Sequence, residues 1–167
     1  MADSKPLDIV DENDVIIGKI NDDEIQLKKG IVRSSAILLF NSKGELFLQK
    51  RASNKSRYPL YWDFSAAGFV DSGETYDVAA ARELKEELGV AKTPSELEFV
   101  SKELIILDMK IWLSIYKLVY DGPIKIEKSE VDSGKFFSLD EIKQLAESGG
   151  KVVPVVISTL QSMNLLR

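Results

Sequence analysis

The sequence contains no cysteine and no histidine among its 167 residues. Without cysteine there is no disulfide, no thiolate zinc ligand and no thiol nucleophile. Without histidine there is no imidazole to bind zinc or to act as a base. Any chemistry must therefore use carboxylates, lysine, arginine, tyrosine, hydroxyl groups or a metal ion held by oxygen atoms.

Long apolar runs and excess positive charge are also missing. No stretch of about 18 consecutive apolar residues is present. The N-terminus MADSKPLDIVDEN is acidic and polar, where a signal peptide would be basic and then apolar. The formal net charge of -5 repels polyanions. We therefore expect a cytoplasmic protein that binds neither a membrane nor nucleic acid.

The residues that are present suit one compact unit. Hydrophobic residues make up 44% of the chain and charged residues 29%, and no repeat, low-complexity stretch or flexible linker interrupts it. We predict a single domain over residues 1–167. Residues 1–30 should form an N-terminal β-hairpin and a polar connector, and the connector, residues 21–30, can be a short helix.

Turn residues and hydrophobic periodicity divide the chain into alternating segments. LDIV and VIIGKI flank the turn DEND, and SSAILLF and ELFLQK flank NSKG, so both pairs favour β-hairpins. Further strands are expected at residues 63–68, 97–107, 110–120 and 135–137, and helices at 75–88, 138–148 and from Pro154 onward. This mixture predicts a layered α/β sandwich.

The predicted helix 75–88 concentrates acidic residues on one side. At 100° per residue, Glu83, Glu86 and Glu87 fall within about a third of the circumference. An apolar stripe on the other side should turn this acidic face toward a groove or solvent. The stripe consists of Val78, Ala81, Leu84 and Leu88. A hard cation such as Mg²⁺ or Mn²⁺ would relieve the repulsion between these carboxylates. Taken alone, however, ELKEEL is more often an ordinary solvated helix face.

A longer pattern connects these glutamates to phosphate chemistry. The segment GFVDSGETYDVAAARELKEELGV, residues 68–90, fits G-x5-E-x7-R-E-U-x-E-E-x-G-U without a gap, where U is a bulky aliphatic residue. This is the signature of the Nudix hydrolases, which the chain resembles. The resemblance implies an α/β/α sandwich with a mixed β-sheet, in which residues 68–90 form a loop, a helix and a loop. The resemblance further implies that this segment binds a divalent metal ion, Mg²⁺ or Mn²⁺, that holds a diphosphate.

The same resemblance implies a role for each matching residue of the segment. The metal ligands, or the base that activates water, are Glu83, Glu86 and Glu87, with the carbonyl of Gly68 as a further metal ligand. The residues that brace the helix are Glu74 and Arg82.

The resemblance continues outside the signature. LDIVDENDVIIGKI and LFLQKRASNKSRYPLYWDFSAAGFV are similar to the isopentenyl-diphosphate-isomerase-like branch of the superfamily. In that branch an arginine and a lysine after the second hairpin contact the diphosphate, which implies Arg51 and Lys55 here; an ordinary basic surface loop is the alternative. Tyr58 is a candidate for the rim of the ligand cleft. Family members often supply one more catalytic acid from a later loop, for which Glu130 is the candidate; a solvated loop acid is the alternative.

Three functions then compete. The intact signature favours a Mg²⁺-dependent hydrolase that cleaves the diphosphate linkage of a nucleoside diphosphate derivative, a small molecule. An isopentenyl diphosphate isomerase needs a catalytic cysteine and histidine metal ligands, which the chain lacks. A module that senses a nucleotide without cleaving it has no need to keep three like charges crowded together. We expect the hydrolase, as a monomer or a homodimer.

Overall fold

The computed structural model describes residues 5–21, 24 and 30–167, so most of the predicted connector 21–30 lies outside the described residues. In chain order the strands are β1 (Pro6–Val10), β2 (Ile16–Asn21), β3 (Ile31–Phe40), β4 (Leu46–Arg51), β5 (Trp62–Asp63), β6 (Ala66–Phe69), β7 (Glu98–Ile106), β8 (Lys110–Val119) and β9 (Val131–Phe137). The helices are α1 (Tyr76–Leu88), α2 (Leu139–Glu147) and α3 (Pro154–Ser162), with a 3₁₀ turn at Pro94–Glu96. No helix in this described part is long and apolar enough to cross a bilayer.

The long strand β3 organises the sheet. It pairs in parallel with β8 along its whole length and antiparallel with β6 through Ser34 to Ile37. The predicted first hairpin is confirmed, because β1 and β2 pair antiparallel and β1 meets β3 where Val10 pairs with Ile31. Parallel and antiparallel pairs coexist, which confirms the predicted mixed sheet.

The predicted second hairpin is wrong beyond its turn. In the described chain β3 and β4 pair at Phe40 and Leu46, next to the turn, and then diverge. β4 continues by pairing with β9 and β5, with a bulge between Lys50 and Arg51. Both strands are almost continuously buried, so each is stabilised by distant partners whose pairing a local sequence pattern does not reveal. Because β3 and β4 diverge, a cleft opens between the half of the sheet that contains β3 and β8 and the half that contains β4 and β9.

Alternate residues of β3 face two different layers. Ala36 and Leu38 belong to a core cluster with residues of α2 and α3, among them Ile142, Val156 and Leu160. Ile37 and Leu39 belong to a second cluster, which contains Leu84 and Leu88 of α1. Because side chains of a strand alternate between its faces, α1 covers one face of the sheet and α2 and α3 cover the other. The α/β/α sandwich is confirmed.

The orientation of α1 differs from the prediction. The helix ends at Gly89, whose φ of +66° is in the left-handed region that favours glycine. Thr75 is the N-cap residue, but its side chain makes no capping hydrogen bond. Val78 is exposed, so its place in the apolar stripe is wrong. The buried residues are Ala79, Ala80, Ala81, Leu84, Leu88 and also Glu87. Because alanine side chains are small, this side of the helix can lie close against the sheet. Glu87 lies on the same side of the helix and is therefore buried with them.

The remaining predicted elements differ mainly in their ends. The strand expected at 63–68 is two short strands, β5 and β6, and β9 begins at Val131 instead of 135. Ser138 forms the predicted capping box with Glu141 at the start of α2. Pro154 opens α3 as expected.

Asp14 fixes the N-terminal hairpin to the rest of the fold. It lies in the β1–β2 turn with a φ of +62°, and its nearly buried carboxylate accepts hydrogen bonds from Arg33 Nε at 2.6 Å and Lys102 Nζ at 2.8 Å. The Tyr76 hydroxyl lies 3.0 Å from both carboxylate oxygens. Burial alone would raise the pKa of Asp14, but the bonds from Lys102, Arg33 and Tyr76 hold it below its usual value. We call these four residues the Asp14 anchor; the sequence analysis did not predict it.

Candidate active site

One cavity of about 760 Å³ lies between the two halves of the sheet and brings together most of the predicted site residues. The predicted residues that line it are Arg51, Lys55, Tyr58, Gly68, Arg82, Glu83, Glu86, Glu87 and Glu130. Positions far apart in sequence therefore face one space, which has the size usual for a ligand site. Glu74 contacts this group through Arg82.

Glu87 is held deep in the site. Its residue is only 6% exposed although it lines the cavity, so of the two surroundings expected for the acidic face, a groove or solvent, Glu87 faces the groove. Oε1 accepts a hydrogen bond from the Ala67 backbone N–H at 2.9 Å, and Oε2 accepts one from Gln49 Nε2 at 2.7 Å. Burial raises the pKa of Glu87 to about 8, helped by the nearby charge of Glu83 and opposed by these two bonds. The carboxyl group of Glu87 is therefore held in one position, and burial favours its protonated form unless a cation approaches.

Gln49 is a residue of this site that the sequence analysis missed. It is itself buried, and its amide orients Glu87 from across the cleft. The sequence does contain a sign of this role, because Gln49 is a polar residue that directly follows the apolar residues LFL of β4. A buried side-chain amide needs a hydrogen-bonding partner. The partner is 38 positions away, which a local pattern does not reveal.

Glu83 lies against the backbone of β6. Its side chain is 14% exposed, and Arg82 Nη1 donates to its Oε1 at 2.6 Å. Burial raises the pKa of Glu83 to about 7, while Arg82 opposes that rise. A Cβ at Gly68 would overlap the Glu83 carboxylate, so the signature glycine is required for this close approach. The Gly68 carbonyl accepts a bond from Ser34 Oγ at 2.8 Å, and a carbonyl oxygen has a second lone pair.

Arg82 ties the helix to the preceding loop. Its Nε and Nη2 donate to the two oxygens of Glu74 at 2.8 and 2.9 Å, and Nη2 also donates to the Phe69 carbonyl at 2.9 Å. The Glu74 bond raises the pKa of Arg82. Burial alone would raise the pKa of Glu74, but its bond to Arg82 holds that pKa below the usual value. Arg82 and Glu74 therefore have the bracing geometry expected of them.

Arg82 also occupies the space between two of the glutamates. Its Nη1 lies 2.6 Å from Glu83 Oε1 and 3.3 Å from Glu86 Oε2. Glu86 is the exposed member of the set, since 54% of its side chain is accessible. Within the described residues, no three acidic side chains converge into a closed metal-binding group. The donor set nevertheless fits a hard divalent cation, since it offers only oxygen atoms and carries more negative charge than Arg82 neutralises.

The basic loop after β4 forms the opposite rim. Arg51 Nη1 donates to Asp63 at 2.8 Å and its Nε to the Arg57 carbonyl at 3.0 Å. Lys55 pairs with Glu130, so the structure places these two predicted residues in direct contact at the cavity. Tyr58 lines the cavity with a φ of +49°, which is strained for an aromatic residue.

Comparison with known proteins gives consistent results. The NUDIX domain model matches residues 30–156. A Nudix hydrolase of Pseudomonas aeruginosa is 34% identical over 98% of this chain and 94% of its own. The crystal structure of DR0079 from Deinococcus radiodurans aligns with a TM-score of 0.80 at 25% identity, over 95% of this chain and 98% of that one. The same fold is found in a bifunctional NMN adenylyltransferase/ADP ribose pyrophosphatase from Francisella tularensis, complexed with AMP and a Mn ion. It aligns with a TM-score of 0.64 and 17% identity, over 81% of this chain and 42% of that chain.

Proposed function

This chain belongs to the Nudix family, whose enzymes hydrolyse phosphoric anhydride bonds, and we propose that it cleaves the diphosphate linkage of a nucleoside diphosphate derivative with Mg²⁺ or Mn²⁺. One observation carries the proposal. Glu87 is buried and Glu83 is nearly so, and both face a cavity whose other rim is basic. Among the described residues, Arg82 is the only cationic side chain that contacts either carboxylate, and of the two it contacts Glu83 alone. A diphosphate with a divalent cation would complement both sides.

The proposed metal ligands are the carboxylates of Glu83, Glu86 and Glu87 with the Gly68 carbonyl. Glu83 and Glu87 are fixed by hydrogen bonds, so they contribute preorganised oxygen atoms. Glu86 has the freedom to turn away from Arg82, whose bond to it is the longer one at 3.3 Å. Arg82 and Glu74 hold the helix so that this adjustment stays local.

The proposed contacts to the substrate come from Lys55, Arg51 and Tyr58. The Lys55–Glu130 pair is partly exposed, and such pairs contribute only about 0–1 kcal/mol. A phosphate group can therefore take over Lys55 at little cost and leave Glu130 facing the cavity as a further catalytic acid. Arg51 is tied more firmly because its partner Asp63 is buried. Arg51 therefore also positions the loop.

The reaction needs no covalent intermediate. A cation held by Glu83, Glu86, Glu87 and the Gly68 carbonyl would polarise the phosphoryl oxygens and make water easier to deprotonate. A glutamate of the acidic face takes the proton from the attacking water, whose oxygen forms the new bond to phosphorus. The anhydride P–O bond breaks, and the leaving phosphate keeps its electron pair. Lys55 and Arg51 then compensate the negative charge that develops on the phosphate groups.

The Francisella structure contains AMP and a Mn ion. Because that protein shares the fold, it supports testing a nucleotide and Mn²⁺ here.

The test is hydrolysis by the purified protein of nucleoside di- and triphosphates, nucleotide sugars, dinucleoside polyphosphates and isopentenyl diphosphate. Released phosphate, pyrophosphate and nucleoside monophosphate are measured with Mg²⁺, Mn²⁺ or EDTA. Metal-dependent release of a nucleoside monophosphate is the expected result. Inertness toward every compound, combined with thermal stabilisation by a nucleotide, would overturn catalysis in favour of a binding module. Conversion of isopentenyl diphosphate to its isomer would point to the isomerase instead.

A further inference from the structure

The cavity has a second wall that the proposed hydrolysis does not use. Facing the acidic helix, it is formed by the hairpin of β7 and β8. Its side chains are Ile105, Leu107, Met109, Ile111 and Leu113, which we call the apolar wall. Val153 and Val155 at the start of α3 extend it. A diphosphate and its cation are charged and are not stabilised by contact with hydrocarbon side chains. The apolar wall should therefore contact another part of the ligand.

The apolar wall follows from strand alternation. Its members are all odd-numbered, and Ile105 pairs directly with Ile111 across the two strands. The neighbouring Ile106 points the other way, does not line the cavity, and is 64% exposed. Ile105 and Ile111 are only partly buried although they contact the core, so part of their hydrocarbon surface faces the cavity. That surface is available to an apolar ligand group.

An aromatic residue of the basic loop, Tyr58, lines the same cavity. A smaller pocket of about 370 Å³ at the mouth is lined by Tyr58 and Leu107 together, and both residues also line the main cavity. Arg57 pairs with Asp108 and also contacts Met109, which joins the basic loop to the tip of the hairpin. Tyr58 is braced by an edge-on contact with Tyr61, with ring centroids 5.2 Å apart. Tyr58 and the apolar wall therefore line the same cavity.

The basic side chains of the cavity have partners within the protein, and Lys55 and Arg51 are the two proposed to turn to the phosphate groups. Among the described residues, each basic side chain that lines it already pairs with a carboxylate: Lys5 with Asp71, Arg51 with Asp63, Lys55 with Glu130, Arg57 with Asp108 and Arg82 with Glu74. Gln49 donates to Glu87, and Ser34 donates to Gly68. The apolar wall itself carries no side-chain N–H, O–H or oxygen acceptor. A nucleobase on this wall would be contacted through its faces and not through its hydrogen-bonding edges.

We propose that the apolar wall and Tyr58 hold the base of a nucleoside diphosphate by its flat faces, so that the enzyme accepts purines and pyrimidines alike. This inference rests on the proposed hydrolase function. Every base presents an aromatic face of similar chemistry, so stacking tolerates a change of base. An apolar pocket discriminates by about 10–200-fold at most, whereas a site that hydrogen-bonds the ligand can reject its analogue by about 10⁴-fold.

The first experiment compares substrates. We expect kcat/KM values for ADP, GDP, CDP and UDP to agree within about tenfold, and a base-free ribose 5-diphosphate to be slower by about 30-fold. A preference of more than about tenfold for one base would overturn the inference while leaving the hydrolase intact. Faster cleavage of a five-carbon alkyl diphosphate than of any nucleotide would assign the wall to an aliphatic chain and also overturn it. Failure to cleave any of the four nucleotides with either metal would overturn the proposed function itself.

The second experiment compares two adjacent isoleucines on opposite faces of β7. Ile105→Asp should raise KM for all four nucleotides by a similar factor of about tenfold, with a smaller change in kcat, and should weaken AMP binding measured by calorimetry. Ile106→Asp, outside the cavity, should change neither. Ile105→Thr retains a β-branched side chain and tests the same contact should the aspartate variant fail to fold. Unchanged KM and AMP affinity in a folded Ile105 variant, or a change confined to one base, would contradict the inference.

Discussion

In the described part of the molecule, the Asp14 anchor and the acidic face of α1 both hold partly buried carboxylates, and these are compensated in opposite ways. In the Asp14 anchor a single carboxylate receives two cations and a tyrosine hydroxyl from three different elements. On the acidic face of α1, Glu83 and Glu86 share Arg82, which is itself bonded in bidentate fashion to Glu74, while Glu87 accepts only from the uncharged donors Gln49 and Ala67 among the described residues. The pKa of Asp14 is lowered, whereas the pKa values of Glu83 and Glu87 are raised to about 7 and 8 by burial.

The difference separates a structural role from a functional one. A buried charge that the chain satisfies by itself needs nothing from outside, and removing it destabilises the fold because its partners are left uncompensated. A buried charge that the chain leaves uncompensated lowers stability, and an external cation can restore it. The Asp14 anchor is of the first kind and the acidic face of α1 of the second. Variants in the two clusters should therefore affect different properties.

The largest expected effect is on activity. Glu87→Gln should lower kcat by about 1000-fold, because it removes a fixed ligand charge from the site. The fold should persist, since the new amide can keep its oxygen toward Ala67 while Gln49 turns its own amide to accept. Steady-state kinetics and thermal unfolding check both points. Glu147→Gln on the exposed side of α2 is the matched control, and near-normal turnover of Glu87→Gln would remove Glu87 from the site.

The next effect should be on stability and not on turnover. Asp14→Asn keeps a residue that tolerates the left-handed backbone but removes the charge that Arg33 and Lys102 surround. We expect a loss of about 3 kcal/mol, which lowers the Tm by about 10 °C, while kcat/KM stays within about twofold at a permissive temperature. Glu12→Gln, exposed in the same turn, should leave Tm unchanged. A normal Tm for Asp14→Asn would show that the anchor does not stabilise the hairpin.

A third contrast is in pH dependence. In metal-free protein, Glu83 and Glu87 keep their protons up to pH values of about 7 and 8, whereas in the unfolded chain they ionise near their usual value of 4.5. The folded state therefore binds more protons across this window, and the free energy of unfolding falls as pH rises through it. Urea denaturation of the wild type and of Glu83→Gln/Glu87→Gln in EDTA isolates this contribution. The wild type should lose stability relative to the variant from pH 5 to about 8. Parallel curves would contradict the assignment.

A smaller effect should come from Gln49. Gln49→Leu removes the donor to Glu87 Oε2 and leaves the carboxylate less firmly oriented. Partners of metal ligands typically contribute about 10–100-fold to metal affinity, and the lower value is expected because Ala67 still holds the other oxygen. Mn²⁺ binding measured by electron paramagnetic resonance checks this, with the exposed Gln161→Leu as control. An unchanged dissociation constant would limit Gln49 to packing.

The sequence predicted most of the acidic face of α1 but not the Asp14 anchor. The signature predicted that Glu83, Glu86 and Glu87 share one face of a helix, because these residues are close together in sequence. It also identified Arg82 on that helix and Gly68 before it. It did not reveal that Glu87 is buried, since that depends on how closely Ala79 to Ala81 approach the sheet. The Asp14 anchor was missed because its residues are up to 88 positions apart. For the same reason β3 and β4 were interpreted as a simple hairpin, although their main partners are β8 and β9.

The central claim is that the acidic face of α1 is where the protein takes up a divalent cation. The most direct test is a Mn²⁺ titration without nucleotide, followed by electron paramagnetic resonance, of the wild type, Asp14→Asn and Glu83→Gln/Glu87→Gln. The wild type and Asp14→Asn should bind with the same dissociation constant, and the double variant should bind at least about 100-fold more weakly. Wild-type affinity in the folded double variant would contradict the account.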